Sequence, residues 1–135
     1  MGEVTYIIVS EDVFEDPNVG RVISKPYSSL YLPAIPNNFS FSISFGIIDL
    51  KYNTDNPVLI QIKSPSGKTL TEQKFNHRLD NNNKGPEVNV TTDLTMYCKN
   101  FFFNEEGHYK ITVSLDGQGK TLTFPVYKRN ESKND

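Results

Sequence analysis

The sequence predicts an all-β protein, an antiparallel β-sandwich of about eight short strands. Three observations carry that prediction. Phe39, Phe41, Ile43, Phe45 and Ile47 alternate with Ser40, Ser42, Ser44 and Gly46, and sustained alternation is the period of a strand, not of a helix. The same alternation returns in several later segments. No window shows a convincing helical period, and Gly, Pro, Asn and Asp clusters separate the runs as turns would.

Taken in order, Val4–Ser10 (VTYIIVS) is β-branched and continuous, which suits a strand buried on both sides. The following SEDVFED offers the best candidate for a helical turn, a single one. Residues 21–32 hold a further strand interrupted near Pro26, and Pro33 and Pro36 forbid a regular ladder between it and the Phe39 strand. The Phe39 strand buries its aromatic-aliphatic face and offers small polar groups on the other. Val58, Ile60 and Ile62 share one face of the next strand; Val88, Val90, Leu94 and Met96 share one face of EVNVTTDLTMYC. Tyr109, Ile111, Val113 and Leu115, then Leu122, Phe124 and Val126, complete the set. Phe41, Ile43, Phe45, Val113 and Phe124 are expected in one core. Residues 1–129 form one sandwich domain in this account, and 130–135 a frayed charged tail.

The chain has 135 residues, the length of one ordinary domain, with a formal net charge of −2. So balanced a charge offers no field for nucleic acid phosphates or an acidic membrane surface, and neither is expected as a partner. No apolar run approaches the roughly 20 residues needed to span a bilayer. A lone cysteine, Cys98, and the lack of a visible signal peptide point to a cytoplasmic setting.

GKTL occurs twice, at Gly67–Leu70 and Gly119–Leu122. A nucleotide-binding phosphate loop needs a glycine five residues earlier and a helix from the lysine onward. Ile62 and Ser114 stand where that glycine would be, and Thr-Leu-Thr follows each lysine. Both copies are therefore hairpin turns with Lys and Thr facing water.

In EEGHYKITVSL, Gly107 precedes Tyr109, Ile111 and Val113, and VLIQIKSPSGKTL runs an apolar strand into a Pro-x-Gly-Lys turn. Both resemble immunoglobulin-like domains, in which a tyrosine near the start of the penultimate strand closes a corner. The order YIIVSEDV, PAIPNNFSFSISFGI, QIKSPSGKTL is similar to that of small uncharacterised β-sandwich proteins of bacteria and their phages. The resemblance implies an immunoglobulin-like sandwich without known chemistry and brings no functional residues with it. The core Trp and paired Cys of antibody domains are absent.

Catalysis is not expected, and no cofactor or metal. Nucleophilic mechanisms would have to use His77, His108 or Cys98. Cys98 has the apolar parity of its strand, and neither histidine has a companion at metal-ligand spacing. Two loops are rich in oxygen donors: Asp49, Asn53, Asp55 and Asn56 in one, Asp80–Asn83 and Glu87 in the other. They could serve a calcium- or carbohydrate-binding sandwich, helped by Tyr27, Tyr31 and Tyr52. The same residues are what tight turns require, and neither loop keeps an Asp-x-Asp-x-Asp-Gly register.

KNFFFNEEG holds the best candidate site. Phe101, Phe102 and Phe103 are consecutive, so an extended chain must point them to both faces. Either the strand bends at a sandwich corner that buries them, or one is exposed as an aromatic anchor for a protein partner. If the strand keeps its even parity, Phe102 faces the core; if parity flips, Phe102 is the exposed one. The candidate partner-binding residues are Phe101, Phe102, Phe103 and Tyr52. The expected function is a non-enzymatic protein-binding module, for a protein partner or a second copy. In its specific form it is a phage or mobile-element protein that modulates a host protein.

Overall fold

The computed structural model describes residues 2–85 and 88–130. Nine strands follow in order: β1 (Glu3–Asp16), β2 (Gly20–Tyr27), β3 (Leu30–Leu32), β4 (Asn37–Lys51), β5 (Pro57–Lys63), β6 (Thr69–Asn76), β7 (Asn89–Phe103), β8 (Gly107–Leu115) and β9 (Gln118–Lys128). They form two packed sheets, a β-sandwich. One has the order β2-β1-β4-β7 and the other β3-β9-β8-β5-β6. Glu87 and the tail from 131 onward lie outside the described residues. None of the described residues belongs to a helix long and apolar enough to cross a membrane.

Two details differ from expectation. The segment between 21 and 32 is two strands, not one interrupted strand, and β3 pairs parallel with β9, so the second sheet is mixed. The segment considered for a helical turn is instead the far half of β1, paired with β2 from Asp12↔Ser24 to Asp16↔Gly20. Cross-strand pairing supplies the hydrogen bonds that a lone turn could not.

The alternating faces meet between the sheets as the period required. Val58, Ile60, Ile62, Tyr109, Ile111, Val113, Leu115, Phe124 and Val126 are all buried, opposite Phe41, Ile43, Phe45 and Ile47. The core is divided, however. Phe41, Ile43 and Phe124 belong to one cluster with Phe103 and Tyr109; Phe45 and Val113 belong to another with Val4, Ile47, Val58 and Ile60. Ile7 and Met96 pack against both clusters and join them.

The second face of β4 is not a solvent face. Ser42, Ser44 and Gly46 are as buried as the Phe row between them. The cover comes from β1 and β2. At Glu11 and Lys25 the two-stranded ribbon interrupts its pairing, with Lys25 at φ 53°. Beyond this bend it folds over the outside of β4 and β7. There Tyr97 donates to the Val13 carbonyl (2.9 Å), and Arg21 donates to the Leu94 carbonyl (2.9 Å) and to the Thr95 hydroxyl. Tyr6 crosses above Gly46 to donate to Asp93 (2.7 Å), with Arg21 donating to the Tyr6 oxygen (3.0 Å). Burial, and then the Asp93 carboxylate as acceptor, raise the Tyr6 phenol above its ordinary pKa. Small residues line this face of β4 because a second layer lies on it.

The first GKTL copy begins in a turn, whereas the second lies in β9 just after one and not at the hairpin tip itself. Ser64–Lys68 closes the first turn, with the Gly67 amide donating to the Ser64 carbonyl (2.9 Å) and Gly67 at φ 92°. Asp116 and Gly117, both at positive φ, form the two-residue turn between Leu115 and Gln118, the geometry that favours Asp-Gly. Lys68, Thr69, Lys120 and Thr121 are exposed, and each Thr stands in a strand. Lys68→Ala with Lys120→Ala is expected to leave the melting temperature and its response to Mg-ATP unchanged. A thermal shift with Mg-ATP that the double variant abolishes would contradict this.

Candidate protein-binding face

The three consecutive phenylalanines end β7, and a bulge decides where each points. Cys98 pairs with Phe41 and Phe101 with Phe39, so Lys99 and Asn100 together face the single residue Ser40. Asn100 takes φ 52°, a conformation asparagine tolerates better than most residues, and its amide donates to the Ser40 hydroxyl (2.9 Å). The extra residue inverts the parity. Val90, Leu94, Met96 and Cys98 face inward before it; Phe101 and Phe103 face inward after it. Phe102 therefore points out.

The inward pair is locked in an aromatic cluster. Ring centroids are 4.8 Å apart for Phe101–Phe103, 5.6 Å for Phe41–Phe101 and 5.1 Å for Phe103–Tyr109. The Tyr109 hydroxyl donates to the Glu105 carbonyl (2.7 Å), fixing the β7–β8 corner. Phe103 is 1% exposed, whereas Phe102 is 55% exposed. An aromatic side chain held at the surface by two inward-packed neighbours, one buried and one half-buried, loses little freedom when it is covered, which is what an anchor needs.

Further along the outer row of β7 stands Tyr97, 58% exposed. It lies roughly 13 Å from Phe102 by strand spacing, with Lys99 between them. Asn38, opposite Phe102, and Ser40 supply a polar border on β4. The signal for Tyr97 in the sequence is parity alone: what turns Cys98 inward turns its neighbour outward.

Tyr52 is not part of this face. It lies after β4, whose other end pairs Asn38 with Phe102, so roughly 40 Å of strand separates them. Phe101 and Phe103 do not belong to the exposed face either, since both pack inward. The structure thus brings only Phe102, of the four candidates, to an accessible surface at the β7 corner.

The oxygen-rich loops are bound to one another. Asn53 Nδ2 donates to the Asn81 carbonyl and the Asn81 amide donates to Asn53 Oδ1. Asn56 donates to the carbonyls of Thr54 and His77. Arg78 holds Asp55 (2.8 Å) and Asp80 (2.7 Å), and this contact draws the Asp55 carboxyl below its usual range. Asp49 and Asn53 both adopt φ 60°: Asp49 sits within β4 where its register against β7 shifts between Ile47 and Leu50, and Asn53 sits in the turn after that strand. The tyrosines join separate contacts: Tyr27 meets Phe39 and Tyr31 meets Tyr127.

Cys98 sits in the first core cluster, where burial pushes its thiol up to about 11. His108 is exposed beside Tyr127, while His77 packs edge-on against Phe75. Among the described residues, no three His, Cys, Asp or Glu side chains group as metal ligands would. No known family model matches the chain, and no curated protein sequence matches it.

Proposed function

We propose that this chain is a non-enzymatic, immunoglobulin-like protein-binding module that docks a partner on the outer face of β7, with Phe102 as its anchor. The observation that carries this is the inverted parity at Asn100, which turns one phenylalanine of three outward between two that pack inward. Interface energy concentrates in a few large side chains within a polar rim; Phe102 and Tyr97, bordered by Asn38, Ser40 and Lys99, offer that composition. The immunoglobulin-like reading is supported by the parallel β3–β9 pairing at the sheet edge and by the tyrosine corner at Tyr109. The resemblance to small bacterial and phage sandwiches supports a narrower form, in which the setting is cytoplasmic and the partner is a host protein.

The test is capture from lysate of the native cell with immobilised wild-type and variant proteins, read by mass spectrometry. Phe102→Ser is expected to change stability by no more than about 0.5 kcal/mol, as exposed substitutions do, and to lose the partner. Tyr31→Ser, exposed on the other sheet, is expected to retain it. If Phe102→Ser and Tyr97→Ser both capture what the wild type captures, the β7 face is not the binding surface.

A further inference from the structure

The two sheets leave four edges, and three are blunted. β3 is three residues long. β2 bends at Lys25 and carries Pro26. β7 is bulged at residues 99–100 and gives its Leu94 carbonyl to Arg21. The fourth edge, β6, runs in unbroken register against β5 from Thr71 to Asn76 and, among the described residues, has no neighbour on its other side. A regular free edge is a template for another strand. Beside it the sandwich is open, for a cleft of about 310 Å³ between β6 and β7 is lined by Phe45, Ile60, Phe75, Leu94 and Met96. Phe75 is exposed at its rim.

We infer that β6 pairs antiparallel with β6 of a second copy of this chain, about a two-fold axis through Gln73. The charges select both the occupant and the register. Gln73 and Phe75 share the face of Ile60 and Val58, their partners on β5, so Glu72 and Lys74 lie on the opposite face. With the axis at Gln73, Glu72 stands opposite the partner's Lys74, and Lys74 opposite the partner's Glu72. Directly opposed charges of unlike sign favour a pairing, and like charges oppose it. Because opposed residues share a face, the register can move only by a full pleat. A shift one way sets Glu72 on the partner's Glu72; a shift the other way sets Lys74 on the partner's Lys74. The paired edge continues the five-stranded sheet into its copy and brings a second Phe75 to the open side.

Sedimentation across a concentration series tests this directly. The wild type is expected to dimerise, Glu72→Lys and Lys74→Glu each to weaken the dimer about tenfold or more, and the double exchange to restore it. Gln73→Cys gives an independent measure, since residues opposed on the axis lie within disulfide reach and the native Cys98 is buried. Mild oxidation is expected to yield a covalent dimer. A protein monomeric at every concentration overturns the inference and leaves the edge to an extended segment of some other protein. A dimer insensitive to single reversal, or not rescued by the exchange, overturns it equally. The inference does not rest on the β7 face: Phe102→Ser is expected to leave dimerisation intact, and Glu72→Lys to leave partner capture intact.

Discussion

Phe45→Ala is expected to lower the unfolding free energy by about 3–5 kcal/mol, the usual cost of emptying an aromatic core site. Phe45 is 1% exposed and central to the second core cluster, among Ile47, Val58, Ile60 and Val113. It also lines the cleft between β6 and β7. The void left by its ring would be open to water on that side instead of sealed, which places the cost toward the lower end of the range. Urea unfolding of the two proteins measures it. A loss below about 1.5 kcal/mol, typical of volume-conserving changes, would mean that Phe45 is not a core residue.

Gly46→Ala should cost about 2–4 kcal/mol, far more than a methyl on a strand normally does. An added Cβ would lie 2.3 Å from Tyr6 Cε2 and 2.8 Å from Cδ2, with the Thr5 hydroxyl at 3.0 Å. The Tyr6 ring has to move, and with it go the hydrogen bond to Asp93 and the contact with Arg21 that holds the outer ribbon. Combining Gly46→Ala with Tyr6→Ala removes the obstruction, so the two losses should fall well short of additive. Strict additivity in thermal or urea unfolding would show that Tyr6 does not bear on Gly46.

The inward rows of β4, β5, β8 and β9 were legible in the sequence because a period of two leaves little choice once one face is apolar. What covers the other face was not. Ser42, Ser44 and Gly46 carry the same letters whether they meet water or a second layer, and only the bend at Glu11 and Lys25 brings that layer over them. The candidate site was legible to the same degree. Three consecutive phenylalanines required a break in parity, and the two outcomes for Phe102 could be stated in advance. Choosing between them needed the positive φ of Asn100, one of several conformations open to an asparagine. Tyr52 lies at the far end of β4 from the phenylalanines, and a sequence does not say at which end of a sandwich a loop emerges. The Glu72/Lys74 pair carries no signal in the sequence, since its meaning depends on β6 being an edge.

The folded ribbon also has a consequence in time. Strands β1 and β2 leave the ribosome before β4 and β7 do, yet β1 pairs with β4 and the ribbon closes over β7, which ends at Phe103. Until β7 has been synthesised, this hairpin can meet β4 but lacks Leu94, Thr95 and Tyr97, the residues that hold its far half down. Docking of that half must follow translation of β7, while the β5–β6 hairpin can form from neighbours already made.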